Sequence, residues 1–117
     1  MVNQVILIGR LTADPQAETA EGGKKYSHIT LAIPRSFKNP DGVYDTDFIR
    51  CTLWNVIAAS TAEYCHKGDL VGIRGHIQNN NYEDPEGNKK YTLDIIADKV
   101  SFLSSKPTEF ENIEEEK

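Results

Sequence analysis

Five stretches rich in β-branched residues, interrupted once by an alanine-rich segment with helical spacing, set what this chain can fold into. Residues 3–11 (NQVILIGRL) are apolar on both faces, Val5 and Leu7 against Ile6 and Ile8, and read as a buried strand. In KYSHITLAIPRSF, Ile29, Leu31 and Ile33 alternate with His28, Thr30 and Ala32, the period of a half-buried strand. Its pairing should be disturbed at Pro34, which has no N–H to donate. The third strand, DFIRCTLWN (residues 47–55), sends Ile49, Cys51 and Leu53 to one face and Phe48, Arg50, Thr52 and Trp54 to the other. Alternation then stops. NVIAASTAEYCHKGD places Ile57, Thr61 and Tyr64 or Cys65 at helical spacing and ends in Lys67-Gly68, which predicts a helix over 56–66 with a cation and a C-cap glycine. In DLVGIRGHIQNNNYED, Val71, Ile73, Gly75 and Ile77 oppose Arg74, His76, Gln78, Asn80 and Tyr82, with glycines that suggest bulges or bending. YTLDIIADKVSFL is the last strand.

Turn chemistry separates these elements. Pro15 and Gly22-Gly23 mark a long connection or hairpin tip, Pro40-Asp41-Gly42 a turn, and residues 84–90 (DPEGNKK) a second hairpin. There is no internal repeat. Three strands, one helix and two more strands predict an all-β domain: an OB-fold, the five-stranded Greek-key barrel with one helix between the third and fourth strands. Its open face and hairpin loops bind oligonucleotides or oligosaccharides, but fold class alone does not assign a function.

The open face of the third strand is unusual. A half-buried strand normally turns rings inward and charges outward, yet Phe48 and Trp54 share a side with Arg50. The fourth strand adds Arg74, His76 and Gln78. Phe37 with Arg35 and Lys38 lies at the base of one hairpin, Lys89 and Lys90 lie in the next, and Arg10 closes the first strand. Rings interleaved with cations and amides suit a single nucleic-acid strand, because bases stack on the rings while Lys and Arg neutralise phosphates. A duplex hides its base faces, and sequence-specific readout needs a more particular donor and acceptor pattern.

A chain of 117 residues fits one domain. No charged-then-apolar N-terminal signal is present, and no apolar run approaches the roughly 20 residues of a membrane span. A cytoplasmic protein without a membrane partner is expected. Cys51 and Cys65 match neither a zinc site nor a disulfide scaffold and read as free thiols in a reducing compartment. The net charge of −5 is unevenly placed: residues 107–117 (PTEFENIEEEK) hold five Glu and one Lys, leaving −1 for residues 1–106. Two parts follow, a binding domain over 1–106 and a short acidic disordered tail over 107–117. A near-neutral body can still present a basic surface locally.

VNQVILIGRLTADP, ITLAIPRSF, TDFIRCTLWN, AEYCHKGDLVGIRGHIQNNNYEDPEGNKKYT and IIADKVSFL together resemble the bacterial single-stranded DNA-binding protein family, over residues 2–103. The resemblance implies an OB-fold, a homotetramer, nucleoid association, and wrapping of single-stranded DNA during replication, recombination and repair. It places the family's base-stacking aromatics on Phe37, Phe48, Trp54 and Tyr82, the rings singled out by parity. Two of these positions are often tryptophan elsewhere in the family, which suggests weaker stacking at Phe37 and Tyr82. The tail departs from the pattern: family members often carry a long Gly/Pro/Gln-rich linker and an acidic Pro-Phe terminus that docks replication and repair proteins. This sequence ends EFENIEEEK, with Phe110 and Ile113 as internal apolar candidates for such docking.

Competing readings put Phe48 and Trp54 over a core edge or a subunit contact, or make the aromatic face a peptide-docking site. Tyr26, Tyr44, Tyr64, Tyr91, Phe102 and Phe110 lack comparable basic neighbours and are expected mostly to pack. His28, His66 and His76, with Cys65 beside His66, match no catalytic or metal-ligand spacing, so neither an enzyme nor a cofactor is expected.

Overall fold

The structure, a computed structural model, describes residues 1–104. Five long strands and a helix follow the expected order: β1 (Val5–Leu11), β2 (Lys25–Lys38), β3 (Tyr44–Trp54), α1 (Asn55–Tyr64), β4 (Leu70–Asn79) and β5 (Leu93–Ser104). Two-residue strands at Glu18–Thr19, Tyr82–Glu83 and Lys89–Lys90 extend the connections. The sheet runs β1-β4-β5-β3-β2, and β2 returns to β1 through Arg10–Ala32 and Leu11–Leu31, which closes the barrel. All neighbours are antiparallel except β3 and β5, which pair in parallel at Cys51–Ile95 and Thr52–Ile96. The acidic tail expected over 107–117, and Phe110 and Ile113 within it, lie outside the described residues.

The core follows from the alternation. Ile29 and Leu31 of β2, Cys51 and Leu53 of β3, and Val71 and Ile73 of β4 meet inside the barrel with Leu11 and Ala97. Helix α1 packs on β2, β3 and β5 and adds Ala58 and Thr61 to the buried set. Asn55 starts the helix at φ +56°, a left-handed conformation that Asn tolerates better than most side chains. The helix stops at Tyr64 rather than His66, and Gly68 is not its cap. Cys65, not Tyr64, completes the packed face: its side chain is buried, its backbone is extended, and its N–H donates to Thr61 O at 3.0 Å. Gly68 shapes the next turn at φ +90°, and its N–H donates to Leu11 O at 2.8 Å.

Other boundaries also move. β1 begins at Val5 because the Asn3 side chain takes over the edge contact, donating to Ile77 O at 2.6 Å and accepting from Ile77 N at 3.0 Å. Pairing of β2 with β3 slips between Pro34 and Lys38, as proline requires. β4 against β5 slips between Arg74 and Gly75, where a Cβ on residue 75 would meet Ile96 O at 1.9 Å. Only glycine permits that close crossing. β4 ends at Asn79, so Asn80 and Tyr82 are not part of it, and Ile77 is exposed instead of facing the core.

Candidate nucleic-acid interface

The outward side chains of β3 lie in register with those of β2. Phe48 sits opposite Ala32, Arg50 opposite Thr30, Thr52 opposite His28 and Trp54 opposite Tyr26. Ala32 also pairs with Arg10 of β1, so Arg10, Ala32 and Phe48 form one row across three strands. On the other flank, Thr52 faces Ile96 of β5, and β5 hands on to β4 through Ile96–His76 and Asp94–Gln78. One continuous outer surface therefore carries Arg10, Phe48, Arg50, Trp54, His76 and Gln78, with β5 between the two strands that sequence reading placed together.

The rings on this surface differ in support. Phe48 is 68% exposed and Trp54 37%. Trp54 is the more covered because Tyr26 leans against it, with centroids 5.8 Å apart at 47°. Tyr26 is itself fixed: its hydroxyl donates to Glu18 at 2.7 Å, and His28 meets its ring edge-on at 5.3 Å. His28 Nδ1 lies 3.2 Å from Thr52 Oγ1, and Thr52, expected on the open face, is buried beneath these neighbours. Burial, then the charge of Arg50, pushes His28 below its ordinary pKa, so it is neutral at pH 7. Pairing the hairpin strands outward from the Pro-Asp-Gly turn would have missed Tyr26, because the slip between Pro34 and Lys38 is what sets it opposite Trp54.

The hairpins supply the remaining candidates. Phe37 is exposed under the Arg35 guanidinium, 6.0 Å from its centroid. Arg35 is already engaged: Nε and Nη2 donate to the Asp47 carboxylate at 3.1 and 3.0 Å, with Asp45 at 3.8 Å. That hydrogen-bonded guanidinium holds Asp47 below the usual carboxylate range. Lys38 lies 5.7 Å over the exposed ring of Tyr44. Tyr82 is exposed on the second hairpin opposite Lys90, and Glu83 is opposite Lys89. Tyr44 and Tyr91, expected to pack, are open and stand beside lysines. Tyr44 shares the parity of Phe48, a signal that strand alternation already contained. Tyr64 and Phe102 meet each other, with centroids 6.3 Å apart, but both remain largely exposed, at 63% and 49%, so the packing expected of them is only partial.

Arg10 and Arg74 stand at the margins of this surface. Arg10 Nη1 donates to Gly68 O at 3.0 Å, which anchors it at the β1 end of the surface. Arg74, paired with Ile6 and Lys99, borders an apolar groove of about 270 Å³ with Ile6, Ile8, Gly72, Ser101 and Leu103.

His76 is flanked on both ring nitrogens, with Nδ1 3.0 Å from Asp98 Oδ2 and Nε2 3.0 Å from Gln78 Oε1. Only the imidazolium donates to both, so the Asp98 contact first and the Gln78 contact second raise its pKa. The sign follows: a folded-state pKa above the unfolded value gives stability that is complete below the unfolded pKa and lost as pH rises through the folded one. Protonation also adds a positive charge to the surface. Oligothymidine affinity is therefore expected to rise from about pH 8 to about pH 6, and His76→Gln should flatten that rise. Parallel titrations at the two pH values check it; an equal rise in both proteins would assign the effect elsewhere.

Burial pushes the Cys51 thiol up to about 11 and raises Cys65 as well, so both remain protonated at neutral pH. Among the described residues, no group of three His, Cys, Asp or Glu is placed to hold a metal ion.

A closed five-stranded barrel with a helix between its third and fourth strands, and with rings and cations on its outer sheet and hairpins, defines an OB-fold of the nucleic-acid-binding kind. The model of the single-strand binding protein family matches residues 2–103. Over 109 residues the chain is 48% identical to single-stranded DNA-binding protein B of Bacillus subtilis, covering 93% of this chain and 96% of that one. It is 42% identical over 106 residues to single-stranded DNA-binding protein 3 of Listeria innocua, covering 91% and 66%. Identity to the single-stranded DNA-binding protein of Lactiplantibacillus plantarum is 41%, covering 91% and 53%. The chain belongs to the single-strand binding protein family.

Proposed function

We infer that this protein binds single-stranded DNA without sequence preference, by stacking bases on Phe37, Phe48, Trp54 and Tyr82 while nearby cations neutralise phosphates. The observation that carries the reading is the exposure of these four rings on one barrel exterior and its hairpins, beside Arg10, Lys38, Arg50, Lys89 and Lys90. Stacking is sequence-tolerant because every base has a π-face. Arg35 contributes mainly by bracing Phe37, since two carboxylates already share its charge. His76 and Gln78 extend the track towards β4. The role is non-catalytic: the protein covers and protects single strands exposed during replication, recombination and repair, in the cytoplasm at the nucleoid. Among the described residues no helix is long and apolar enough to cross a membrane.

Titrating the single tryptophan with oligothymidine at two salt concentrations tests the reading. Saturable quenching with salt-dependent affinity is the expected result. A folded protein whose Trp54 emission ignores oligothymidine would point instead to a peptide-docking surface.

The working unit is a homotetramer. Ile6 and Ile8 are 68% and 55% exposed and line one apolar groove with Leu103, a surface that a second copy of the chain covers. The acidic residues after Pro107 compete with phosphates for the basic surface and offer Phe110 and Ile113 to replication or repair proteins. Deleting 107–117 should therefore strengthen DNA binding at low salt and matter less at high salt. Weaker binding after the deletion would place the tail within the site.

A further inference from the structure

We propose that the hairpin between β4 and β5 carries a second nucleotide-stacking site, built from Tyr91 and Lys89 on the side opposite Tyr82. The proposal deepens the single-strand reading and rests on it. Tyr82 pairs with Lys90, and Glu83 with Lys89. Consecutive residues of a strand leave opposite faces, so Tyr82 and Lys90 share one side of the ribbon and Glu83 and Lys89 the other. Tyr91 follows Lys90 in the chain and joins the second side. With Asn81, Glu83 and Lys89 it lines a cleft of about 330 Å³, which Tyr82 also borders.

Tyr91 is 72% exposed, the highest value of any Phe, Tyr or Trp among the described residues. A ring left in water on an ordered support is available to a flat ligand. The support is ordered at both ends of the hairpin. At its base, Asn80 N donates to Thr92 O at 2.8 Å and Thr92 Oγ1 donates to Asn80 O at 2.6 Å. At its tip, Asp84 Oδ1 accepts from the N–H groups of Glu86 and Asn88 at 3.0 and 2.8 Å. One ring, one ammonium and one amide match a nucleotide of single-stranded DNA. Lys89 neutralises a phosphate beside the stacked base, and the Glu83 carboxylate on the same side of the ribbon partly offsets it. A strand that crosses Tyr82 then turns around the hairpin and returns along its back.

The test uses the full chain, with long oligothymidine and Trp54 quenching as the readout. Tyr91→Ala is expected to bind about tenfold more weakly with the same quench amplitude and salt slope, and Tyr91→Phe to bind as the parent does. Because the two rings hold different bases, the losses from Tyr82→Ala and Tyr91→Ala should multiply in the double variant. Glu83→Gln should bind more tightly at low salt. Full affinity in Tyr91→Ala, or no further loss when it is added to Tyr82→Ala, would overturn this site alone. Absence of quenching in the parent would overturn the single-strand reading and this site with it.

Discussion

Trp54→Ala and Phe48→Ala should each weaken oligothymidine binding by about tenfold or more while leaving its salt dependence unchanged. Base stacking contributes about 1–3 kcal/mol per base by alanine substitution, and it releases no counterions. The two rings occupy the outer face of β3, where neither supports the core, so both variants are expected to fold. Trp54 also leans on Tyr26, which Glu18 tethers, so Tyr26→Val should lower affinity by a smaller factor and alter the Trp54 emission of the free protein. Lys89→Ala should behave in the reverse manner, costing less at high salt and reducing the salt slope by about one. Titrations at several salt concentrations separate the two patterns. If both ring variants fold and bind as the parent does, Phe48 and Trp54 are packing residues and the reading of the open face fails.

Ile6→Asp combined with Ile8→Asp is expected to leave single chains in solution at micromolar concentration, where the parent is expected to sediment as the proposed tetramer. Fully burying an isoleucine side chain contributes about 1.5–3 kcal/mol, and a symmetric assembly repeats each contact in every copy. Two carboxylates in the same groove must instead be desolvated, a further unfavourable term. Both side chains point out of the barrel, so its interior packing is preserved in the variant. Sedimentation equilibrium gives the masses. A parent that sediments as one chain would remove the tetramer, and a tetrameric variant would move the interface elsewhere. Breaking the assembly should also remove any advantage of long oligothymidine over short, because one chain engages only one segment at a time.

Much of the barrel was legible in local patterns. Alternation in β2, β3 and β4 named Ile29, Leu31, Cys51, Leu53, Val71 and Ile73, all of which are buried together. The same parity exposed Phe48 and Trp54, because a strand with one face in a core has no freedom over where the other face goes. Gly42 and Gly87 adopt positive φ in the turns that Pro-Asp-Gly and Pro-Glu-Gly announced. Element ends were less legible. Gly68 resembled a helix cap, but the helix stopped earlier because Cys65 had a core to enter, and no local pattern records that competition. Tyr44 and Tyr91 were misjudged although the sequence held a signal for each: Tyr44 has the parity of Phe48 and Tyr91 follows Lys89-Lys90, while Lys38 reaches Tyr44 across a turn and Lys89 shares a cleft with Tyr91.

For most strand residues the sequence by itself determined which side chains face in and which face out, since that follows the period-two pleat. It did not determine the covering of Thr52 by its neighbours or the exposure of Ile77 near the end of β4. Closure of the barrel decided what those side chains meet. Inserting β5 between β3, to which it is parallel, and β4, to which it is antiparallel, set Asp94 and Ile96 amid the candidate surface and brought Asp98 to His76. Closing β2 on β1 aligned Arg10 with Phe48 across Ala32, and the close crossing at Gly75 bent β4 so that Arg74 borders the groove of Ile6 and Ile8. These contacts join residues far apart in the chain, and their geometry comes from strand order and register, which no local periodicity encodes.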